Sequence, residues 1–267
     1  MPNNKCHKRS IYFMFTLYCS YALLSFLSFM IGITEHKAAA GHTYTSIAGF
    51  HTKHIIGQDT VIYDLDSNRY TVVQIGKQYW LRENLRTTRY NDTTPIATGL
   101  TDRQWSETQS GAYAVYENNP AYEARYGKLY NGYAARSGKL CPKGWRIPTD
   151  KDWNELESFL GIPAAELGRT GIRGEKGALL KGGNSWQPSE YPVTNETSFT
   201  ALPAGVRKKN GEYVTEGQYA NFWTTTVYDD RYGLYLWNRH LNFNSNGIGR
   251  IYTSANDGYS CRCIKAT

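Results

Sequence analysis

Two neighbouring segments near the C-terminal end of the chain combine aromatic, amide and charged side chains. One runs from Tyr228 to Tyr232, and the other begins at Trp237 and continues through Asn244. Aromatic rings can stack on the apolar faces of sugar rings, and amide, carboxylate and guanidinium groups can hydrogen-bond sugar hydroxyls. The sequence therefore predicts a ligand-binding site made of Tyr228, Asp229, Asp230, Tyr232, Trp237, Asn238 and Arg239. For Trp237, a place in the hydrophobic core is the competing interpretation.

Residue patterns typical of catalysis are absent from the sequence. It contains no Gly-x-Ser-x-Gly elbow, no His-Glu-x-x-His motif, no Walker loop and no Gly-x-Gly-x-x-Gly loop. His240 is the one histidine after residue 58, and we interpret it as a surface residue rather than a general base. The adjacent carboxylates of Asp229 and Asp230 fit a solvated loop. The sequence predicts a protein that is not an enzyme and uses no cofactor.

A possible calcium loop begins at Asp64. The spacing Asp64-x-Asp66-x-Asn68 resembles its start, but such a loop needs glycine at the sixth position and glutamate at the twelfth. Here those positions hold Arg69 and Ile75. We therefore expect a turn between strands, and no metal site.

Three cysteines follow the N-terminal segment. If residues 258–265 form one strand, Cys261 and Cys263 point to the same face, with Cα atoms about 6.7 Å apart and Cβ vectors that cannot meet. Cys141 is then expected to pair with one of these two. Such a bridge closes roughly 120 residues and contributes nearly 5 kcal/mol in the chain-entropy model. The third thiol is left free or available between chains.

The N-terminus has the pattern of an export signal. Basic residues precede an uncharged run over 11–33, and small residues follow at Ala38-Ala39-Ala40. The run is long enough to span a bilayer core of about 30 Å, so residues 1–40 are either a signal peptide cleaved after Ala40 or a retained signal anchor. We expect a linker over 41–58, a domain over 59–267, and an extracellular or cell-surface location.

Composition and charge narrow the class of partner. The formal net charge is +7 for 267 residues, and it falls to +4 once the four basic residues and one acid of the first forty are removed. The basic run at Arg207-Lys208-Lys209 is short and lies beside a predicted turn, where we expect it to be solvated. A diffuse charge of this size does not favour nucleic acid as a partner. A membrane contact is expected only through the N-terminal segment, if that segment is retained.

The elements that must position these residues are mostly short strands. Strands are predicted at 61–63, 70–75 and 79–81, with a hairpin over 206–214 around Asn210-Gly211 and later strands at 221–226, 234–237 and 258–264. The segment 84–140 is predicted to be rich in loops, with short strands and one short helix near 130–135. The glycine-rich stretch 168–183 is predicted to be a loop.

The clearest helical signal follows Thr149. This residue is a good N-cap, Asp152 supports it three positions later, and Gly161 is a natural end. Trp153, Leu156 and Leu160 share one face. A further helical turn is expected over 163–167, and the fold class is α+β.

Several segments resemble the Fibrobacter succinogenes major paralogous domain, a family of exported bacterial proteins. The resemblance is carried by Leu140-Cys141-Pro142-Lys143-Gly144-Trp145-Arg146-Ile147-Pro148-Thr149 with Trp153, and by Phe222-Trp223-Thr224-Thr225-Thr226. Further matching segments lie in the same order at 64–73, 75–80, 83–92, 126–131, 199–205 and 262–264. The tryptophans inside matched segments are predicted to form the core: Trp80, Trp145, Trp153 and Trp223.

Two of these stretches also resemble the formylglycine-generating-enzyme branch of the C-type lectin-like fold. The resemblance implies a C-type lectin-like core with small antiparallel sheets, one or two helices and long loops. The resemblance to the Fibrobacter succinogenes major paralogous domain also implies a disulfide between Cys141 and Cys263, because that family usually has an apolar residue at the position of Cys261. The thiol of Cys261 is then expected to be free and buried.

The resulting functional expectation is an exported, non-catalytic module that binds a glycan or another surface ligand, with a glycan or a surface protein as partner. One alternative is a structural or adhesive module that contacts proteins only. A second alternative is an oxidative enzyme related to formylglycine-generating enzymes, which would need a pair of free cysteines.

Overall fold

The computed structural model describes residues 34–38, 42–47, 50–52, 60–229 and 231–266. The chain divides into two compact units, residues 1–58 and 59–267. In the first unit, strands β1 (Thr34–Ala38), β2 (His42–Ile47) and β3 (Phe50–Thr52) form an antiparallel sheet in that order. These strands lie where the sequence predicts the end of the export segment and the linker. The uncharged run 11–33, the predicted cleavage site after Ala40, and Asp230 lie outside the described residues.

The second unit has antiparallel sheets with short helices between them. Its helices are α1 (Asp102–Glu107), α2 (Pro120–Tyr126), α3 (Gly132–Ala135), α4 (Asp150–Phe159) and α5 (Ala164–Leu167). Short 3-10 turns lie at Tyr116–Asn118 and Gly177–Leu179. No helix in the described part of the chain is long and apolar enough to cross a membrane.

The strands of this unit form three sheets. The strands are β4 (Val61–Tyr63), β5 (Arg69–Ile75), β6 (Gln78–Leu81), β7 (Tyr113–Ala114), β8 (Leu129–Asn131), β9 (Trp145–Arg146), β10 (Gly171–Arg173), β11 (Ala204–Arg207), β12 (Tyr213–Glu216), β13 (Tyr219–Asp229), β14 (Tyr235–Asn242), β15 (Ile248–Ser254), β16 (Gly258–Tyr259) and β17 (Ile264–Lys265). Their orders are β4-β5-β6-β17-β9, β12-β11-β16-β8-β7 and β10-β15-β14-β13. The α+β class is confirmed.

The predicted meander and its turn are confirmed. Strands β4, β5 and β6 pair antiparallel in sequence order. Asp64 Oδ1 accepts the backbone N–H groups of Asp66 and Asn68, both at 2.9 Å, and its Oδ2 accepts from the Tyr70 hydroxyl at 2.8 Å. The carboxylate closes the turn by hydrogen-bonding its own backbone, as short acidic side chains do at turns.

The predicted helix after Thr149 is confirmed as α4. Thr149 is its N-cap, and a reciprocal capping box with Asp152 satisfies two backbone donors of the first turn. Trp153, Leu156 and Leu160 are fully buried. Gly161 follows with a φ of +91°, a left-handed conformation that ends the helix without a steric clash.

Helix α4 packs on an aromatic core. The ring centroids of Trp80 and Trp153 lie 5.3 Å apart, and Phe199 and Phe222 complete the cluster at 5.5–5.7 Å from their neighbours. The core prediction is confirmed for Trp80, Trp153 and Trp223, which are fully buried. Trp145 differs, because it is only partly buried at the edge of the neighbouring cluster.

The predicted cysteine arrangement is confirmed. Cys141 and Cys263 form a disulfide, and Cys261 is a free, buried thiol. The geometry differs in one respect, since 258–265 is not one strand. Strands β16 and β17 are separate, and residues 261–263 between them are irregular.

The hairpin predicted over 206–214 is also confirmed, since β11 and β12 pair with Val206 opposite Val214. Arg207 corrects the prediction of a solvated basic run. It is buried, its guanidinium lies 4.4 Å from the Trp105 ring centroid, and it pairs with Asp102 at 3.0 Å. Lys208 and Lys209 are exposed, as expected.

Candidate functional site

The sheet β10-β15-β14-β13 carries the residues predicted to bind a ligand. Strands β13 and β14 pair antiparallel, with register shifts between Trp223 and Asp229. Strands β14 and β15 place Trp237 directly opposite Tyr252. Since side chains of a strand alternate between faces, Trp237 and Tyr252 share a face with Arg239 and its cross-strand partner Arg250.

Three aromatic residues form an aromatic surface at one end of this face: Tyr228, Trp237 and Tyr252. The rings of Tyr228 and Tyr252 are stacked, with centroids 3.5 Å apart and planes inclined by 8°. Trp237 meets both rings edge-on, at 5.2 Å and 5.5 Å. Tyr228 is 45% exposed and Tyr252 is 41% exposed, while Trp237 is partly buried. The sheet therefore presents a continuous aromatic patch to solvent.

Arg250 supports this surface. Its guanidinium carbon lies 3.4 Å from the Trp237 ring centroid, in a cation–π contact. The same guanidinium donates to Asp150 Oδ1 at 2.9 Å and Oδ2 at 3.0 Å. Burial alone would raise the pKa of Asp150, but hydrogen bonds and positive charge from Arg250 and Arg239 lower it below its ordinary value. Asp150 stays ionised and fixes Arg250 beneath the tryptophan.

Arg239 is placed differently from the prediction. It is buried, and its Nε donates to Glu157 Oε1 at 2.6 Å while Nη1 donates to Asp150 Oδ1 at 2.6 Å and Nη2 to Asn154 Oδ1 at 2.8 Å. All three acceptors lie on α4. The guanidinium therefore holds the helix on the sheet and has no exposed donor to offer a ligand.

Asn238 is also buried and points to the opposite face of the sheet from Trp237, because the two are adjacent in one strand. Its amide nitrogen and oxygen have no hydrogen-bond partner among the described residues. The structure does not bring Asn238 or Arg239 to the aromatic surface.

The loop after β13 holds the other predicted residues. Tyr232 is 91% exposed, and Arg231 Nη2 pairs with Asp229 Oδ2 at 2.8 Å. Asp230 lies outside the described residues. Tyr228 directly precedes Asp229, the last residue of β13, so this loop borders the aromatic surface.

His240 corrects the prediction of a surface histidine. It is buried, and its Nδ1 has no hydrogen-bond partner in the described part of the chain. Burial and the positive charges of Arg173 and Arg239 lower its pKa from 6.5 to about 4. The ring is neutral at pH 7 and lies within the fold.

Among the described residues, no group of three or more histidine, cysteine, aspartate or glutamate side chains is placed to hold a metal ion. In the turn at 64–68, Asp66 Oδ2 accepts the Thr88 backbone N–H at 2.5 Å and Oδ1 accepts Arg89 Nε at 2.7 Å. The oxygens of this calcium-like stretch are engaged by protein donors.

Sequence reasoning missed Tyr252 and Arg250, because it did not assign strand β15. The β-branched and aromatic residues Ile251, Tyr252 and Thr253 are a local signal that could have identified this strand.

The sequence matches the Fibrobacter succinogenes major domain over residues 73–265, which is more than half of the chain. The chain belongs to this family. The Fibrobacter succinogenes major domain begins here inside β5 and ends in β17, so it contains the whole aromatic surface, helix α4 and the disulfide. No curated protein and no solved structure matched the chain in the corresponding searches.

Proposed function

We propose that this protein is an exported, non-catalytic module that binds a glycan through the aromatic surface of Tyr228, Trp237 and Tyr252. The observation that carries the proposal is the exposure of stacked aromatic rings on a regular sheet. Isolated exposed aromatics are ordinary on protein surfaces, but a contiguous apolar patch is a mark of an interaction site.

The geometry favours a polysaccharide chain over a small free ligand. Rings on adjacent strands of a sheet form an extended contact, and a glycan chain can lay successive sugar faces along it. Tyr232 and the Asp229–Arg231 pair at its border supply hydroxyl, carboxylate and guanidinium groups for sugar hydroxyls. Arg250 keeps Trp237 in place, so little side-chain entropy is lost on binding.

A C-type lectin-like fold is part of the proposal. Its support is the resemblance of the closing strand and of the α4 region, together with small antiparallel sheets, short helices and long loops. Export is supported by the basic and apolar N-terminal sequence and by the disulfide, since disulfides persist in oxidising compartments.

The cysteines bear on both alternatives. An adhesive module linked by an interchain disulfide would need Cys261 at the surface, and this thiol is buried. An oxidative enzyme would need a pair of free cysteines, and Cys263 is bonded to Cys141. A protein partner that docks on the aromatic surface without a covalent bond is a competing proposal.

Binding to an array of immobilised glycans and to insoluble polysaccharides tests the proposal. The parent protein should bind at least one of them, and Tyr252→Ala should lose that binding while keeping its circular dichroism spectrum. The absence of binding by the folded parent protein to any of these glycans would contradict the proposal.

A further inference from the structure

A concave site that shares no lining residue with the aromatic surface lies beside strand β4, and we call it the β4 cleft. It is a hollow of about 230 Å³ between strand β4, the segment 87–91 and the loop 140–145. Ile62, Leu140 and Pro142 contribute apolar lining, and the partly buried indole of Trp145 contributes an aromatic one. The volume is below the about 300–1,000 Å³ of sites for drug-sized ligands, so the cleft suits one ring.

Two exposed side chains with large apolar areas line the cleft. Tyr63 is 59% exposed and Leu65 is 52% exposed, and both belong to its lining. Exposed side chains of this size beside a hollow increase the apolar area that a ligand covers on binding. They can close over one face of a ring whose other face meets the cleft wall.

The frame of the cleft is fixed by covalent and hydrogen bonds. Cys141 is anchored by its disulfide to Cys263, and its carbonyl accepts Asn91 Nδ2 at 3.0 Å. The Asn91 backbone N–H donates to Lys139 O at 2.8 Å. The hollow is therefore largely formed before a ligand enters, as binding sites usually are.

The charged side chains in and beside the cleft differ in whether they already have a partner within the protein. Asp64 lines the cleft, and its carboxylate accepts two backbone N–H groups of its own turn. The neighbouring carboxylate of Asp66 accepts from Thr88 and from Arg89, so both carboxylates already have protein donors. Lys143 lines the cleft and is exposed, and within the described ranges no acidic oxygen lies within 4.0 Å of its ammonium group. The half-exposed guanidinium of Arg89 lies on the same lining.

Apolar walls, together with a lining lysine that has no acidic partner among the described residues, define a ligand class. A ring offers the apolar faces, and a carboxylate on that ring offers the partner for Lys143 and the outer edge of Arg89. We propose that the β4 cleft binds a single carboxylate-bearing ring, either a uronic acid unit of an acidic polysaccharide or a free ring acid. The proposal does not depend on the aromatic surface.

Calorimetric titration of the full chain with galacturonate, tetragalacturonate and the neutral cellotetraose tests this. Both acids should bind, and the neutral cellotetraose should not bind in the cleft. The variant Lys143→Gln should bind the acids about tenfold more weakly, because it loses one charge-assisted hydrogen bond. The variant Lys143→Arg, which keeps the positive charge, should retain the affinity of the parent for the acids. Lys77→Gln, which removes a charge from an exposed turn elsewhere, should leave it unchanged.

The same titrations identify the source of the ring. If the association constant of tetragalacturonate exceeds four times that of galacturonate, the natural ligand is a polysaccharide. If the two constants are equal per ring, the natural ligand is a free acid. No binding of either acid at millimolar concentration, or unchanged binding in Lys143→Gln, would overturn the proposal. Loss of acid binding in Tyr252→Ala would overturn it too, since that residue belongs to the aromatic surface.

Discussion

His240 is a buried residue whose charge state is set by its surroundings. It lies between Asn221 and Gly249 in the sheet, and a Cβ on Gly249 would fall 2.0 Å from its ring. The backbone of β15 therefore lies against the imidazole. Protonation would put a positive charge into a buried position that already has Arg173 and Arg239 nearby.

Stability should fall as the pH is lowered from 6.5 to 4. The pKa of His240 is lowered to about 4 in the folded state, so the unfolded chain binds more protons across this window and acid favours unfolding. The loss should reach about 3 kcal/mol, at 1.36 kcal/mol per pH unit. Urea unfolding at a series of pH values measures it, with His240→Gln as the variant that lacks the titration.

Other groups change stability in different ways. Burial raises the pKa of Asp257, which stabilises the fold on acidification and partly offsets the histidine effect. Despite burial, hydrogen bonds lower the pKa values of three carboxyls, whose contribution is lost below their ordinary value of 3.8: Asp66, Asp150 and Asp152. An equal slope between pH 6.5 and 4 in the parent and in His240→Gln would contradict the assignment.

At the scale of elements, arginine side chains of the sheet join it to helix α4. Arg239 and Arg250 both reach Asp150 at the helix N-terminus, and Arg239 and Arg173 both reach Glu157 further along. The carboxylates and guanidinium groups are buried or nearly so, and removing one partner from such a network leaves another charge uncompensated. This network fixes the position of Trp237 as well as that of the helix.

Arg250→Met should destabilise the fold and weaken glycan binding together. Asp150 would keep Arg239 but lose two hydrogen bonds, so we expect a loss of about 2–4 kcal/mol in the free energy of unfolding. Urea denaturation measures the stability, and Lys151→Met, at an exposed position of the same helix, is the matched control. A change below about 0.5 kcal/mol, the range typical of surface substitutions, would contradict the network.

The elements also show how far the sequence could predict the site. Helix α4 was predictable because Thr149, Asp152 and Gly161 act locally, and the meander because its turn is closed by Asp64. The burial of Arg239 was not predictable, since its partner Asp150 lies 89 residues away. Short helices such as α1 and α2 lack a clear apolar period. The pairing of Trp237 with Tyr252 depends on a strand register that only the assembled sheet defines.

At the scale of the whole molecule, the disulfide joins the loop before β9 to the segment before β17. Cys141 and Cys263 are 122 residues apart, and both belong to the hydrophobic cluster that contains Tyr130 and Trp223. The thiol of Cys261 lies in the same cluster, and burial raises its pKa well above the ordinary value. A protonated, buried thiol is a poor nucleophile.

Loss of the disulfide should destabilise the domain. The double variant Cys141→Ala with Cys263→Ala should lose about 2–5 kcal/mol, since the unfolded chain regains the freedom of a long loop. Denaturant unfolding measures the loss, and Cys261→Ala is the control. In the native parent, Cys261 should resist thiol reagents and react only on unfolding. Rapid labelling of Cys261 itself in the folded protein, distinguished from Cys6 and Cys19 by peptide mapping, would contradict its burial.

The central claim is that the aromatic surface is the glycan-binding site. The most direct test compares the affinity of Tyr252→Ala and Tyr79→Ala for the best-bound glycan, because Tyr252 is 41% exposed and Tyr79 is 40% exposed on a different sheet. We predict that Tyr252→Ala binds the glycan at least about tenfold more weakly, because it loses one aromatic ring that the glycan would cover. We predict that Tyr79→Ala binds the glycan like the parent. Equal affinities of the two variants would contradict the claim.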